Sequence, residues 1–152
     1  MTGMSGTGKS SALERLRLLG FRAVDTDEGE WTEWSETDGG YVWREERIAE
    51  LLAGDDGSSL YVSGTVSNQG RFHERFDAIV LLSAPADVVL GRIETRTTNP
   101  YGQTAAQREL VLRDLAEVEP RLRRTCTHEI DATQPLADVV ARLAELGRDP
   151  SA

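Results

Sequence analysis

Residues 3–10, Gly-Met-Ser-Gly-Thr-Gly-Lys-Ser, match the phosphate-binding pattern G-x-x-x-x-G-K-[ST] at every fixed position. Glycines let the backbone curl so that successive N–H groups converge on an anion. A helix that begins near Gly8 adds its dipole and its unpaired N–H groups. Lys9, the only lysine of the chain, can reach the β- and γ-phosphates of a nucleotide, and Ser10 can bring its hydroxyl to Mg²⁺. The pattern predicts an ATP or GTP site formed by Gly3, Ser5, Gly6, Thr7, Gly8, Lys9, Ser10 and Ser11.

The residues around the pattern favour this site over a flexible Gly- and Ser-rich terminus. An apolar stripe at helical spacing follows it, formed by Ala12, Leu13, Leu16 and Leu19, and Gly20 is placed to end that helix. Only Met1 and Thr2 precede Gly3, whereas a phosphate-binding loop normally leaves a buried parallel strand. A vacant central strand would leave neighbouring backbone groups unpaired, at about 1–3 kcal/mol each if buried. We therefore expect a truncated first strand, and favour a true start upstream of Met1; a fold that tolerates the gap is the alternative.

Length and charge limit the classes of function. A chain of 152 residues favours one domain, over residues 1–147, followed by a flexible tail over 148–152. No apolar run is long enough for a membrane span and no secretory signal is present. Cys126 is the single cysteine, which fits a reducing compartment and predicts a cytoplasmic protein. The net charge of −9 argues against a nucleic-acid-binding surface.

Strand-like and helix-like stretches alternate along the chain. Strands are predicted at 21–25, 59–63, 78–82 and 127–130, and helices at 41–53, 85–95, 104–119 and along the stripe Leu136, Val139, Val140, Leu143 and Leu146. Residues 26–40 read as an acidic and aromatic loop, and residues 66–76 as a loop with a short helix. The alternation predicts an α/β three-layer sandwich, with a parallel sheet between helices and the ligand at the carboxyl ends of the strands.

Asp25 and Asp27 stand at the end of the strand predicted over 21–25. Residues spaced two apart can point to the same side of a sheet. One carboxylate can face Mg²⁺ and the other a substrate hydroxyl, which suits phosphoryl transfer because that reaction needs positioning and a metal more than covalent chemistry. An ordinary acidic loop is the alternative, since Glu28, Glu30 and Glu33 follow closely.

On these motifs the chain resembles the small-metabolite kinases of the shikimate kinase and gluconate kinase group, within the wider family that includes adenylate kinase. The resemblance rests on residues 3–10, Asp25-Thr26-Asp27, Trp43-Arg44-Glu45, the Gly64 turn and an arginine-rich lid. It implies that Ser10 and Asp25 serve the magnesium site, that Asp27 holds the acceptor hydroxyl, and that Arg44 binds a substrate carboxylate. Arg47 replaces the family's glutamate three residues after that arginine, and the turn keeps only one glycine, which argues against shikimate itself as the substrate.

The resemblance also implies a lid over about residues 96–109 that closes on the phosphates and excludes water. Arg92 and Arg96 share one helix face, a connector with glycine and proline follows, and Arg108 opens the next helix. Arg96 and Arg108 are expected at the transferred phosphoryl group and Arg92 against the adenine. The loop with Gln134 and Pro135 is expected to pack on the adenine as well. Two exposed helices with surface arginines are the alternative.

A polar stretch after the strand at 59–63 supplies further candidates for substrate contact, namely Gly64, Thr65, Asn68 and Arg71. For Asn68 and Arg71, a surface turn is an equal alternative. For Arg44 the alternative is a solvated ion pair on a helix that also carries Glu45, Glu46 and Glu50.

The sequence thus predicts an ATP-dependent phosphotransferase that uses Mg²⁺ and moves the γ-phosphate to a hydroxyl, or a phosphate, of a small metabolite. Lys9, Asp27, Arg96 and Arg108 are the predicted catalytic residues. The expected partner is a small-molecule acceptor, with neither nucleic acid nor membrane, and the chain is expected to be a monomer or a weak dimer. A nucleoside or nucleotide kinase and a non-catalytic nucleotide sensor remain the alternatives.

Overall fold

The computed structural model describes residues 1–54, 56–97 and 100–149. Within these residues the strands are β1 (Arg22–Asp25), β2 (Thr32–Ser35), β3 (Gly40–Trp43), β4 (Leu60–Ser63), β5 (Val80–Ser83) and β6 (His128–Asp131). The helices are α1 (Lys9–Leu18), α2 (Glu45–Ala53), α3 (Ala86–Thr95), α4 (Ala105–Glu117), α5 (Glu119–Thr125) and α6 (Leu136–Arg148), and a 3₁₀ helix spans Gln69–Arg75. Strands and helices alternate as the sequence predicts, except where β1, β2 and β3 follow one another and where α3, α4 and α5 do.

The parallel strands form two pairs, β1 with β4 and β5 with β6, where the sequence predicts one continuous sheet. Met1 and Thr2 lie between the pairs and bond to both. The α-amino group of Met1 donates to Val62 O at 2.7 Å. Thr2 N donates to Val80 O at 2.8 Å, and Leu82 N donates to Thr2 O at 2.9 Å. The spatial order is therefore β1, β4, residues 1–2, β5 and β6, with the first strand reduced to two residues that fill one end of the central position.

Helices cover both faces of this sheet, because alternate side chains of a strand point to opposite sides. Val80 and Leu82 of β5 share a buried core with Leu16 of α1 and Leu143 of α6. Leu81, between them, is fully buried in a second cluster with Leu122 of α5. The three-layer arrangement thus agrees with the sequence prediction, although the sheet is divided.

One predicted segment is wrong. The sequence predicts a loop over residues 26–40 and a helix from Tyr41, whereas β2 and β3 form an antiparallel hairpin and α2 begins only at Glu45. Trp34 and Tyr41 are cross-strand partners whose rings meet edge to face, with centroids 5.5 Å apart. Arg44 N donates to Trp31 O at 2.8 Å and so continues the hairpin pairing to the start of the helix.

Several helix ends follow the predicted signals. Thr104 caps α4 in a capping box with Gln107, and Pro120 lies in the first turn of α5, so the predicted break near this proline is confirmed. Arg148 is the last residue of α6 and not the start of a tail, while residues 150–152 lie outside the described residues. In the described part of the chain, no helix is both long and apolar enough to cross a membrane.

A cavity of about 320 Å³ extends the central position of the sheet away from the phosphate-binding loop. Its walls include Met1, residues 60–62 of β4, Val80 of β5, and Leu143 and Leu146 of α6. Extended chain fits such a position because strand edges border it on both sides.

We predict that adding about five apolar, β-branched residues ahead of Met1 stabilises the protein, since strands are typically of this length. Each fully buried apolar side chain contributes about 1.5–3 kcal/mol, against about 1–2 kcal/mol for ordering one residue of backbone. Chemical denaturation should show a higher free energy of unfolding. An extension of equal length made of Gly and Ser is the control, and equal stability of the two extended proteins would contradict the prediction.

Candidate active site

The phosphate-binding loop is fixed by its own backbone and by Thr65, which follows β4. Gly8 caps α1 with φ of 90°, a left-handed conformation that favours glycine. Thr7 is buried, and its hydroxyl donates to Met4 O at 2.8 Å across the loop. Thr65, just after β4, donates from Oγ1 to Gly3 O at 3.0 Å and accepts from Gly3 N at 3.3 Å. The loop is therefore held in shape before any anion arrives.

Lys9 lies across this loop. Its Nζ donates to Gly3 O at 2.6 Å and to Met4 O at 3.1 Å. Burial lowers the pKa of Lys9, and the charges of Asp27 and Asp25 partly oppose that shift. Two backbone carbonyls thus hold the Lys9 side chain at the loop, and the oxygens of a triphosphate would replace them as partners of opposite charge.

One cavity of about 560 Å³ opens over the loop. Its walls contain most of the residues that the sequence predicts for nucleotide binding, and also Asp27 and Thr65. It is also lined by Arg92, Arg96, Ala132, Gln134, Leu136 and Val139. Pro135 is the N-cap of α6 and is not among the wall residues. The size falls within the range of sites that bind small molecules.

Ser10 and Asp25 meet at the edge of this cavity. Ser10 Oγ donates to Asp25 Oδ2 at 2.7 Å, and Asp25 Oδ1 accepts from Asp27 N at 3.2 Å. Within the described residues no three acidic, histidine or cysteine side chains converge as a metal cage. A hydroxyl and one carboxylate fit Mg²⁺, which prefers oxygen ligands and is usually bound through one or two carboxylates together with substrate phosphates. These two residues are therefore suited to the metal that the sequence predicts.

Asp27 lines the cavity two residues beyond this pair. Partial burial raises the pKa of its carboxyl, the charge of Lys9 opposes that shift, and the charge of Asp25 adds to it. A carboxylate whose pKa lies above the ordinary value is a better proton acceptor, which suits a residue that receives a proton from a hydroxyl.

A lock, formed by the hydrogen bonds of Thr26 to Ser63 and Trp43, fixes the end of β1 that carries Asp25. The sequence analysis did not predict it. Thr26 is fully buried, and its hydroxyl donates to Ser63 O at 2.7 Å while accepting from Trp43 Nε1 at 2.8 Å. Gly64 lies against this contact, and a Cβ there would collide with Thr26 Oγ1 and lie 3.1 Å from Trp43 Nε1. Gly64 therefore serves close packing. The sequence signal for this lock was the threonine between the two aspartates, Thr26.

The predicted substrate residues outside the cavity are held by partners of their own. Asn68 is buried, accepts from Trp43 N at 2.8 Å and donates to Trp43 O at 3.0 Å, so both ends of its amide position the hairpin. Arg44 lies 3.8 Å from Glu33, and Arg71 pairs with Glu45. Neither arginine is among the residues that line the cavity.

The predicted lid arginines divide into two groups. Arg92 and Arg96 line the cavity, Arg92 donating to Ala132 O at 2.6 Å and Arg96 donating to Ser5 Oγ at 3.2 Å and to Tyr101 O. Arg108 instead pairs with Glu94 at 3.4 Å and does not reach the cavity. Thr98 and Asn99 of the predicted lid lie outside the described residues. Asp114 of α4 also lines the cavity, which no motif predicts.

Comparison with known proteins agrees with this geometry. A family model described as AAA domain matches residues 1–115. The chain belongs to this P-loop family. No curated protein gives a significant match. The family resemblance that the sequence indicates is thereby confirmed at the level of a P-loop domain.

Solved structures share the fold of this AAA domain protein. Shikimate kinase from Acinetobacter baumannii, in complex with shikimate, has a TM-score of 0.65 at 19% identity, over 99% of this chain and 92% of that one. Shikimate kinase from Bacteroides thetaiotaomicron has a TM-score of 0.67 at 18% identity, over 95% and 94%. A gluconokinase from Sinorhizobium meliloti has a TM-score of 0.57 at 22% identity, over 97% and 91%. At these identities the likeness shows the fold alone.

We predict that Gly64→Ala destabilises the protein by about 1–3 kcal/mol, the usual cost of overpacking a filled site. The added methyl would displace Thr26 or Trp43 and loosen the end of β1. Thermal and chemical unfolding measure the change. Gly70→Ala is the matched control, because a Cβ at Gly70 meets no atom within 4 Å. Equal stability of the two variants would refute the lock.

Proposed function

We propose that this P-loop protein transfers the γ-phosphoryl group of ATP to a hydroxyl of a small metabolite. One observation carries the proposal: Lys9, Asp27 and Arg96 line a single cavity, with the Ser10–Asp25 contact at its edge. A nucleotide-binding protein without chemistry would need the loop and Lys9 but has no use for a carboxylate such as Asp27 beside them. The kinase names of the structural neighbours support the same class.

In the proposed reaction, the acceptor hydroxyl oxygen attacks the γ-phosphorus of ATP. The bond from that phosphorus to the β–γ bridging oxygen breaks, ADP leaves with the bond's electron pair, and the hydroxyl proton passes to Asp27. Lys9 and the loop amides balance the charge on the phosphates, while Arg96, which directly follows α3 in extended conformation, donates to Ser5 of the same loop. Ser10 and Asp25 would hold Mg²⁺, which would neutralise part of the charge on the phosphates.

The nucleoside kinase alternative has less support. Two of the aromatic residues that could stack a base are used elsewhere: Trp43 is buried and bonded to Thr26, and Trp31 packs against the Arg47 guanidinium at 4.8 Å. Trp34 and Tyr41 pair with each other on the exposed hairpin. A small acceptor that reaches Asp27 is therefore the better fit.

The first test is ADP production from Mg·ATP with a panel of small hydroxyl compounds. Asp27→Asn should lower acceptor-stimulated kcat by about 10²–10⁴-fold, the usual contribution of a general base, and leave ATP binding unchanged. Glu36→Gln, at an exposed position in the hairpin turn, is the control for loss of one carboxylate. Full turnover by Asp27→Asn would contradict the assigned role. ATP binding with no stimulation by any acceptor would favour the sensor.

The pH dependence gives an independent check on Asp27. Its carboxyl must be deprotonated to accept a proton, so activity is present above its pKa and is lost as the pH falls through it. Because burial raises that pKa, the acid limb of kcat/KM should lie above about pH 4, the value for an ordinary aspartate. A limb at or below that value, or the same limb in Asp27→Asn, would contradict the assignment.

A further inference from the structure

The carbonyl oxygen of Gly3 has two hydrogen-bond donors, one from the phosphate-binding loop and one from outside it. Lys9 Nζ donates to this oxygen at 2.6 Å, and Thr65 Oγ1 donates to it at 3.0 Å. A carbonyl oxygen has two lone pairs, so both bonds can be made at once. Among the described residues, no other group donates to Gly3 O. If Lys9 leaves this oxygen, Thr65 is therefore the one donor that the described chain still offers it.

Binding of a triphosphate requires Lys9 to change partners. An ammonium group has three donors, and those of Lys9 serve Gly3 O at 2.6 Å and Met4 O at 3.1 Å. Contacts to both the β- and the γ-phosphate take at least two of the three donors. At least one of the two carbonyls must then be released. A released carbonyl that finds no other donor is costly, because its hydrogen bond is lost and not exchanged.

The other carbonyl, that of Met4, keeps donors of its own when Lys9 leaves. Thr7 Oγ1 donates to it at 2.8 Å and Thr7 N at 3.3 Å. Each of the two carbonyls that hold Lys9 is thus shared with a threonine hydroxyl. For Met4 O the threonine belongs to the loop itself, whereas for Gly3 O it is Thr65, which follows β4.

The hydroxyl of Thr65 is fully used by these contacts. It accepts from Gly3 N at 3.3 Å and lies 3.0 Å from Thr2 Oγ1. A hydroxyl donates once and accepts twice, and the Thr65 proton goes to Gly3 O, so Thr2 is the donor of this pair. The other acceptor near the Thr2 hydroxyl is Gln69 Oε1, which at 3.5 Å is beyond the usual O–H···O range. A substrate contact of Thr65, which the sequence predicts, would have to break one of these bonds.

We infer that Thr65 is a positioning residue for Lys9, because its bond to Gly3 O allows the ammonium group to leave that carbonyl for the phosphates. Thr65 lines the cavity, but in this role it touches neither the nucleotide nor the acceptor and acts through Gly3 O. Without its hydroxyl, Gly3 O would keep Lys9 in the free protein and would lack a donor in the complex. The loss therefore falls on the complex. The inference rests on the nucleotide-binding part of the proposed function and is independent of the acceptor.

The test is a chemical-shift titration with the magnesium complex of a non-hydrolysable ATP analogue. Thr65→Val keeps the shape of the side chain and removes the hydroxyl, so the Kd should rise by about three- to tenfold, the range of one neutral hydrogen bond. Thr65→Ser restores the hydroxyl and should bind within about twofold of wild type. Thr37→Val, at an exposed threonine of the hairpin turn, is the control and should leave the Kd unchanged.

The same titration in a Lys9→Met background separates positioning of Lys9 from general support of the loop. Without the ammonium group, Gly3 O loses no partner when the nucleotide binds. Thr65→Val should then change the Kd of Lys9→Met by less than about twofold, so the two substitutions are not additive. If Thr65 only maintained the shape of the loop, valine would weaken binding by the same factor in both backgrounds. Chemical-shift titrations reach millimolar Kd values, so the weakened variants remain measurable.

Two results overturn the inference: a wild-type Kd for Thr65→Val, or an equal loss of affinity in both backgrounds. Thr65→Ala takes the place of the valine variant if that variant does not fold. Binding of the analogue without ADP production from any acceptor would remove the proposed kinase and leave the role of Thr65 standing. Turnover together with additive substitutions would remove the role of Thr65 alone. No binding by wild-type protein would contradict both.

Discussion

The hydrogen bonds of Met1 and Thr2 to the strands on both sides hold the rest of the site in place. These two residues join the β1–β4 pair to the β5–β6 pair and lead directly into the phosphate-binding loop. The same bonds place Asp25, at the end of β1, within reach of Ser10 at the start of α1. A shift of one strand pair against the other would separate the loop and Lys9 from the acidic strand end. A change that weakens the bonds of this short central segment should therefore also disturb the geometry of the site.

Sequence reasoning found the parts of the site whose chemistry is local. Motifs and spacing predicted the loop residues, the pair Asp25 and Asp27, and the helix that carries Arg92, because each signal lies within a few residues. Arg96 was expected on the same helix face, but α3 ends at Thr95 and Arg96 follows it in extended conformation. The parts that depend on distant contacts were missed. The hairpin of β2 and β3 is stabilised by the cross-strand pair of Trp34 and Tyr41, and its acidic composition masked the alternation.

Side-chain partners decided the remaining residues, and sequence could not supply them. Arg108 is an arginine at a lid-like position, but it pairs with Glu94 and does not line the cavity. Asn68 lies in a polar loop, but its amide is committed to the backbone of Trp43. In both cases the residue type was visible and its partner was not. Asp114, which no motif predicts, lines the cavity.

The cavity carries charges of both signs, and this links the fold to the proposed chemistry. Lys9, Arg92 and Arg96 bring positive charge to its walls, and Asp27 and Asp114 bring negative charge. In the proposed reaction the cations would balance the charge on the phosphates, while Asp27 would orient the acceptor hydroxyl.

The most direct test of this account is a calorimetric titration with the magnesium complex of a non-hydrolysable ATP analogue. Wild-type protein should bind one equivalent, and Lys9→Met should weaken binding by at least about tenfold, because the ammonium makes charge-assisted bonds to the phosphates. Arg15→Met, which removes an exposed positive charge from the same helix, should leave the Kd unchanged. No binding by wild-type protein, or equal binding by the Lys9 variant, would contradict the account.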